Sequence, residues 1–202
     1  TIGDTPGSNR LQIATQGNAL SVSWLGTDDI LLNFGGGREV EVSDALRGTI
    51  STIELDGLGE QDFARYLGDR LTESISLSVT TGSPTLIGGA GHDVLQVAQP
   101  NARLFGGKGN DTLDATSTQG GALFRLDLGD GTDFVEGQVD PLTLGSRGAN
   151  IIEFGPGITP ESLHFTIFFT AAYPRLHYGS GTDAAILPMG AGLRSIDAVR
   201  FA

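Results

Sequence analysis

Two nonapeptides eighteen residues apart carry the chemistry that can be read from this chain. Gly88-Gly89-Ala90-Gly91-His92-Asp93-Val94-Leu95-Gln96 and Gly106-Gly107-Lys108-Gly109-Asn110-Asp111-Thr112-Leu113-Asp114 both fit Gly-Gly-x-Gly-x-Asp-x-U-x, where U is a large apolar residue. Glycine-rich turns let the backbone take φ > 0 and aim carbonyl oxygens inward. Each turn here ends in one carboxylate. Ca²⁺ is a hard cation that takes about six to eight oxygen ligands, which carbonyls plus Asp can supply. Asp93 and Asp111 are therefore the expected carboxylate ligands. The turn residues Gly88, Gly89, Ala90, Gly91, Gly106, Gly107, Lys108 and Gly109 are the expected carbonyl donors. The alternative is a pair of glycine-rich hairpin turns in which Asp serves only turn chemistry. Two copies in one register argue against it.

Something must hold these turns one above the other. Leu86, Leu95, Leu104 and Leu113 recur every nine residues without a slip. The apolar ladder thus runs on through Val97 to Phe105, where Gln99-Pro100-Asn101-Ala102 replaces the calcium turn. The x-U pair after each turn predicts a short strand whose U side chain points inward. Eighteen residues then make one coil of a parallel β-roll, with two strands and two turns. The turns at 88–93 and 106–111 are expected to stack on one edge with a calcium ion between them, and the opposite edge is expected to be metal-free.

This stretch resembles the RTX, or haemolysin-type calcium-binding, family of bacterial exported proteins. Leu128-Gly129-Asp130-Gly131-Thr132-Asp133-Phe134-Val135 looks like a third, degenerate turn. It makes Asp130 and Asp133 further candidate ligands and leaves open whether they hold a second ion. Asn150 to Leu163, with Phe154-Gly155-Pro156-Gly157-Ile158-Thr159-Pro160-Glu161, is similar to the haemolysin-related segment that often follows such repeats. The resemblance covers about residues 83–202. It departs from the family in having few repeats, so the number of ions is left open. It implies a module of a larger protein, exported by type I machinery and secreted or held at the cell surface.

Bulk composition agrees with this expectation. There are 24 acidic and 12 basic residues, a net charge of −12. Such a charge disfavours nucleic acid and anionic membrane as partners and suits divalent cations. The 31 glycines are more than double the usual share, and their clustering marks turns. Cysteine is absent, as suits a chain stapled by metal, though this decides little about compartment. No run of about eighteen apolar residues exists, so no membrane span is expected. Thr1-Ile2-Gly3-Asp4 is no signal peptide and has no initiator Met, so the chain is expected to be a piece of a longer protein.

The remainder predicts an all-β fold: a short parallel β-roll over 83–137, a β-rich flanking unit over 1–57, and a haemolysin-related β unit over 138–202. Between them, 58–82 is expected to hold one short capping helix and a connector. Glu60 to Glu73 places Phe63, Tyr66, Leu67 and Leu71 at helical spacing, as a cover for the open end of the roll. Leu20–Leu32 and Leu176–Leu187 each read strand, Gly-Thr-Asp turn, strand. Each is followed by a closing strand, Ser51–Leu55 and Ser195–Val199. They are a duplication or two independent hairpins. Phe165, Phe168, Phe169, Tyr173 and Tyr178 form an expected aromatic core cluster. The flanking units are expected to need no metal.

Catalytic constellations are wanting, so no enzyme is expected. There is no His-Glu-x-x-His helix, nucleophile elbow or Walker loop. His92 sits at a variable turn position and is expected to be solvated, while His164 and His177 are expected to be structural. Asp28 and Asp29 suit a turn or a ligand better than an acid–base pair, because neighbours on a strand face opposite sides. Two function classes remain. One is a calcium-driven folding and export module attached to the rest of its parent polypeptide. The other is an extracellular recognition module for a protein or glycan ligand, with its binding face shaped by calcium.

Overall fold

The structure, a computed structural model, describes residues 9–16, 20–26, 28–47, 50–56, 59–81, 85–116, 120–138, 148–167, 173–187 and 196–202. The fold is mostly β, with a single α-helix among the described residues. β1 (Arg10–Ile13), β2 (Ser21–Trp24), β3 (Ile30–Asn33), β4 (Glu39–Val42), β5 (Thr52–Leu55) and β6 (Gly59–Asp62) build two small sheets, β2-β3-β4 and β1-β5-β6. α1 (Phe63–Gly68) follows, then β7 (Ser76–Val79), β8 (Thr85–Gly89), β9 (Val94–Val97), β10 (Ala102–Gly107), β11 (Thr112–Ala115), β12 (Ala122–Leu126), β13 (Thr132–Gly137) and β14 (Ile151–Phe154). β15 (His164–Thr166), β16 (Arg175–His177), β17 (Ala184–Ile186) and β18 (Ala198–Phe201) complete the chain.

From β7 to β15 the chain alternates between two sheets. One sheet has the order β18-β14-β12-β10-β8 and is parallel throughout. The other has the order β15-β16-β17-β13-β11-β9-β7. It is parallel from β7 to β17 and antiparallel at its β15–β16–β17 margin. Leu86 pairs beside Leu104, and Leu95 beside Leu113. The ladder then continues through other residues, Leu104 to Phe124 to Ile152 in one sheet and Leu113 to Val135 in the other. These side chains are all buried. Strands such as β10 and β12 bury alternate residues, so one sheet face meets the core while the other meets water. Each fully buried Leu or Phe contributes roughly 1.5–3 kcal/mol by leaving water. The buried apolar residues form one continuous cluster from Ile13 to Leu187.

The helix is shorter than its apolar spacing predicts. Gly59–Asp62 forms β6 against β5 instead, with Thr52 opposite Asp62. The Asp62 carboxylate then accepts the Arg65 N–H at 2.9 Å and starts the helix. α1 ends at Gly68, and Leu71 is buried beyond its end. Phe63, Tyr66 and Leu67 face the core, and the helix packs on β8 and β10. The 3-10 turn Ala45–Arg47 also packs on β8, the outermost strand of its sheet on that side. No helix among the described residues is long and apolar enough to cross a membrane.

Both expected hairpins are present, β2–β3 and β16–β17, in different sheets. The closing strand near the end is Ala198–Phe201, displaced from the expected Ser195–Val199, and Ser195 lies outside the described residues. The aromatic cluster is composed differently from expectation. Tyr178 is buried against Phe154, which stacks on Phe201. Phe165 is 58% exposed because β15 is a sheet margin, and Tyr173 meets the Phe134 ring edge-on. Phe168 and Phe169 lie outside the described residues.

The paired ladder predicts a sharp contrast between inward and outward positions. Leu104→Ala should lower unfolding free energy by about 2–5 kcal/mol, the range for a buried leucine. Val94→Ala, at a side chain 45% exposed, should change it by about 0.5 kcal/mol or less. Urea unfolding followed by circular dichroism in one buffer reads both values.

Candidate metal centre

The strand register stacks the glycine turns directly. Gly89 lies beside Gly107 in the β8–β10 ladder, and Gly109 bridges to Gly131. The approach is too close for side chains. A Cβ on Gly107 would fall on the Gly89 carbonyl oxygen, and one on Gly109 on the Gly91 carbonyl oxygen. Both residues also hold positive φ, +91° and +144°, so glycine is demanded twice over at these positions. The carbonyls of Gly89, Gly91 and Gly109 thus face the next turn, and that of Gly106 faces Gly88.

The carboxylates form a second column. Asp93 and Leu95 are two apart, as are Asp111 and Leu113, and Asp133 and Val135. Period two sends each pair to the same inward face. Asp93, Asp111 and Asp133 are accordingly only 1–2% exposed. The Asp93 carboxylate accepts the N–H groups of Ile75 (2.7 Å) and Gly89 (2.6 Å). The Asp93 N–H donates to Asp111 Oδ1 at 2.8 Å, and the Asp111 N–H donates to Asp133 Oδ1 at 3.0 Å. Each Asp therefore hangs on the backbone of the preceding turn. Asp111 Oδ2 is buried with no hydrogen-bond partner.

Of the sequence-predicted residues, Gly88, Gly89, Gly91, Asp93, Gly106, Gly107, Gly109, Asp111 and Asp133 meet in this stack. Ala90 and Lys108 occupy the x positions, and the Lys108 ammonium pairs with Asp69 on the helix side. Asp130 turns back into its own turn, where its carboxylate accepts the Asp127 N–H at 2.6 Å. His92 is exposed, as expected, and is also bonded within the stack. Its Nδ1 accepts the Asn110 N–H at 2.9 Å, its own N–H donates to Ser74 Oγ, and Asn110 Oδ1 accepts the Thr132 N–H. Stacking places the N–H at each x position over the side chain at the same position one coil earlier, so these residues form a third, outer column. Asp28 pairs with Arg47, while Asp29 Oδ1 accepts the Asp44 N–H at 2.8 Å. His164 and His177 stack across β15 and β16, 4.8 Å between ring centroids.

One carboxylate was missed by sequence reasoning. Asp183, before β17, accepts the N–H groups of Gly129 (2.8 Å) and Gly131 (3.2 Å) and is buried. The signal was available: Gly179-Ser180-Gly181-Thr182-Asp183 repeats the frame of Gly129-Asp130-Gly131-Thr132-Asp133. The register sets Thr132 beside Ala184, so Asp183 sits at the level of Gly131 and not of Asp133.

Burial dominates the electrostatics. It pushes Asp111 up to about 7, Asp130 to about 8 and Asp133 to about 9, with neighbouring carboxylates adding to the rise. Asp93 is raised by the same burial, less the relief from its Ile75 and Gly89 donors. Among the described residues, no Lys or Arg forms an ion pair with any of these four. Nor do three His, Cys, Asp or Glu side chains among the described residues converge as a ready-made metal cluster. The available donor set is one or two carboxylates per level plus turn carbonyls. It is oxygen throughout, with one orphaned carboxylate oxygen, and that chemistry suits a hard divalent cation.

The raised values have a signed consequence. Folded-state values near 7–9 lie above the ordinary Asp value of 3.8. Between the two, the folded protein holds more protons than the unfolded chain. Without metal, these carboxyls should therefore favour the fold fully below about pH 4. That support should fall as pH rises toward about 9, by about 1.4 kcal/mol per pH unit for each carboxyl still protonated only in the folded state. Urea midpoints of chelated protein at about pH 5 and about pH 8 test this, and equal midpoints would contradict it.

No family model matches the chain, and no curated protein matches it.

Proposed function

We propose that the turn stack is a calcium site, that the parallel sheets around it are a β-roll, and that the chain is a calcium-folded module of a larger exported protein. One observation carries this reading: a column of buried aspartates, one with an unpartnered oxygen, and no ion-paired cationic side chain beside them among the described residues. Asp93 and Asp111 would hold the ion, with Gly89, Gly91, Gly106 and Gly109 offering carbonyl oxygens. When bound, calcium supplies the positive charge that lets these carboxylates stay ionised inside the fold. The backbone N–H donors from Ile75, Gly89 and Asp93 orient the carboxylates, and the leucine ladder keeps water from the inner side.

Metal affinity of this kind is part of folding free energy. At low cytosolic calcium the acidic column opposes folding, so the chain stays export-competent. At the calcium level outside the cell it folds, in a secreted or surface-held protein. The resemblance of residues 83–202 to the haemolysin-type repeat family supports the same reading. A second reading, an extracellular recognition module, is favoured by the exposed Phe165, Ile167 and Tyr173 near one sheet margin. Phe165 and Ile167, two apart along that margin, offer an apolar strip to a protein or glycan ligand.

Calcium titration by calorimetry tests the main reading. Saturable binding is expected with a dissociation constant on the order of 10⁻⁴–10⁻³ M, the range of extracellular modules. Asp111→Asn should weaken it by about 10–100-fold, on the scale of losses at metal-site partners. Asp114→Asn should leave it nearly unchanged, because that carboxylate caps the Thr116 N–H and accepts from Gln96 on the outer face. Equal losses in the two variants would mean that general acidity attracts the ion.

A further inference from the structure

β15 is the last strand of its sheet and is held by one neighbour. It pairs with β16 over three residues. Little apolar burial supports it, since Phe165 is 58% exposed and Ile167, just past its end, 55%. The outer side of the same pairing carries two of the chain's three histidines. Leu176 is buried, so strand alternation turns its neighbours Arg175 and His177 outward. His164 stands directly opposite His177, and the two rings stack with centroids 4.8 Å apart and planes 8° from parallel. Among the described residues, no carboxylate pairs with either ring. Partial burial, then His164 and Arg175, hold His177 below the usual imidazole value. The His177 ring is therefore neutral at neutral pH, with one nitrogen free to donate a lone pair.

We propose that His164 and His177 form a two-imidazole site for a transition-metal cation such as Zn²⁺, which clips β15 to β16. Directly opposed residues of an antiparallel pair hold their Cβ atoms about 4.5–5.5 Å apart. Two zinc–nitrogen bonds of about 2.0–2.1 Å at a tetrahedral angle need nitrogens about 3.4 Å apart. Rings already in contact across the pair reach that spacing by pivoting on their own side-chain torsions, with the strand register unchanged. Water completes the coordination on the open outer face. Imidazole nitrogen suits zinc, nickel and copper, whereas calcium takes oxygen. The clip is thus chemically separate from the glycine turns and does not depend on the calcium reading. It would steady the strand that carries Phe165, where packing gives little support.

Zinc chloride titrated by calorimetry into the intact chain, in calcium-containing buffer at neutral pH, is the test. Hydrogen exchange across β15 and β16 is followed with and without zinc. The same measurements are made on His164→Gln, His177→Gln and, as a control on the turn stack, His92→Gln. One saturable zinc is expected in the intact chain and in His92→Gln, and it should be lost in each of the other two variants. Zinc should slow exchange of the β15 and β16 N–H groups only where it binds. Both rings lie on the outer side of a sheet margin, so glutamine leaves the core untouched, and circular dichroism checks that each variant folds. Acidification to about pH 5 should release the zinc, because protons compete for the same lone pairs. No saturable zinc in the intact chain, or binding that survives in either His164→Gln or His177→Gln, would overturn the clip. Loss of the zinc in His92→Gln would also overturn it, by placing the ion at the turns.

Discussion

A column of buried aspartates governs this molecule. Glycine turns stacked at backbone contact leave no room for neutral side chains to line the inner edge, and period-two strands turn each motif Asp inward beside a core leucine or valine. The same packing that buries Leu95, Leu113 and Val135 therefore forces Asp93, Asp111 and Asp133 out of water. Backbone N–H groups relieve part of the cost, one coil to the next. They do not supply charge. Either protons or a cation must, and at neutral pH the choice between them sets whether the stack is favourable.

The rest of the architecture follows from keeping that column in register. Two sheets of short parallel strands share the load, each strand bonded to the one a coil away and buried on a single face. Parallel edges left bare would expose unpaired backbone groups. On one side, α1 and the Ala45–Arg47 turn lie on β8. On the other, the β15–β16–β17 margin departs from parallel pairing. The apolar cluster is continuous across all of these parts, so the acidic column sits inside one core and not at a loosely attached loop.

Legibility in the sequence stops where the spacing stops being regular. The nine-residue leucine ladder places Leu86, Leu95, Leu104 and Leu113 and both clean turns, because two coils of eighteen residues have equal loops. Later coils put Phe124, Val135 and Ile152 in the same column after loops of unequal length, which erases any period. Asp183 is hidden for that reason, although its Gly-x-Gly-Thr-Asp frame is spelled out. Helical spacing overstates the length of α1, because Gly59–Asp62 gains more from pairing with β5 than from a further helical turn. His92 is exposed, as its variable position suggests, and its bond to the Asn110 N–H arises only because a neighbouring turn lies on top of it.

Hydrogen exchange with and without calcium addresses the central claim most directly, because it reports which backbone groups depend on the charge in the column. With calcium, the N–H groups of Asp93, Thr112 and Phe134, which bond from one coil to the next, should be strongly protected. After chelation at neutral pH these should exchange fast, along with the rest of β8 to β13, while β2 and β3 keep their protection. Protection of β8 to β13 that is the same in both states would contradict the account, since the leucine ladder alone would then hold the stack.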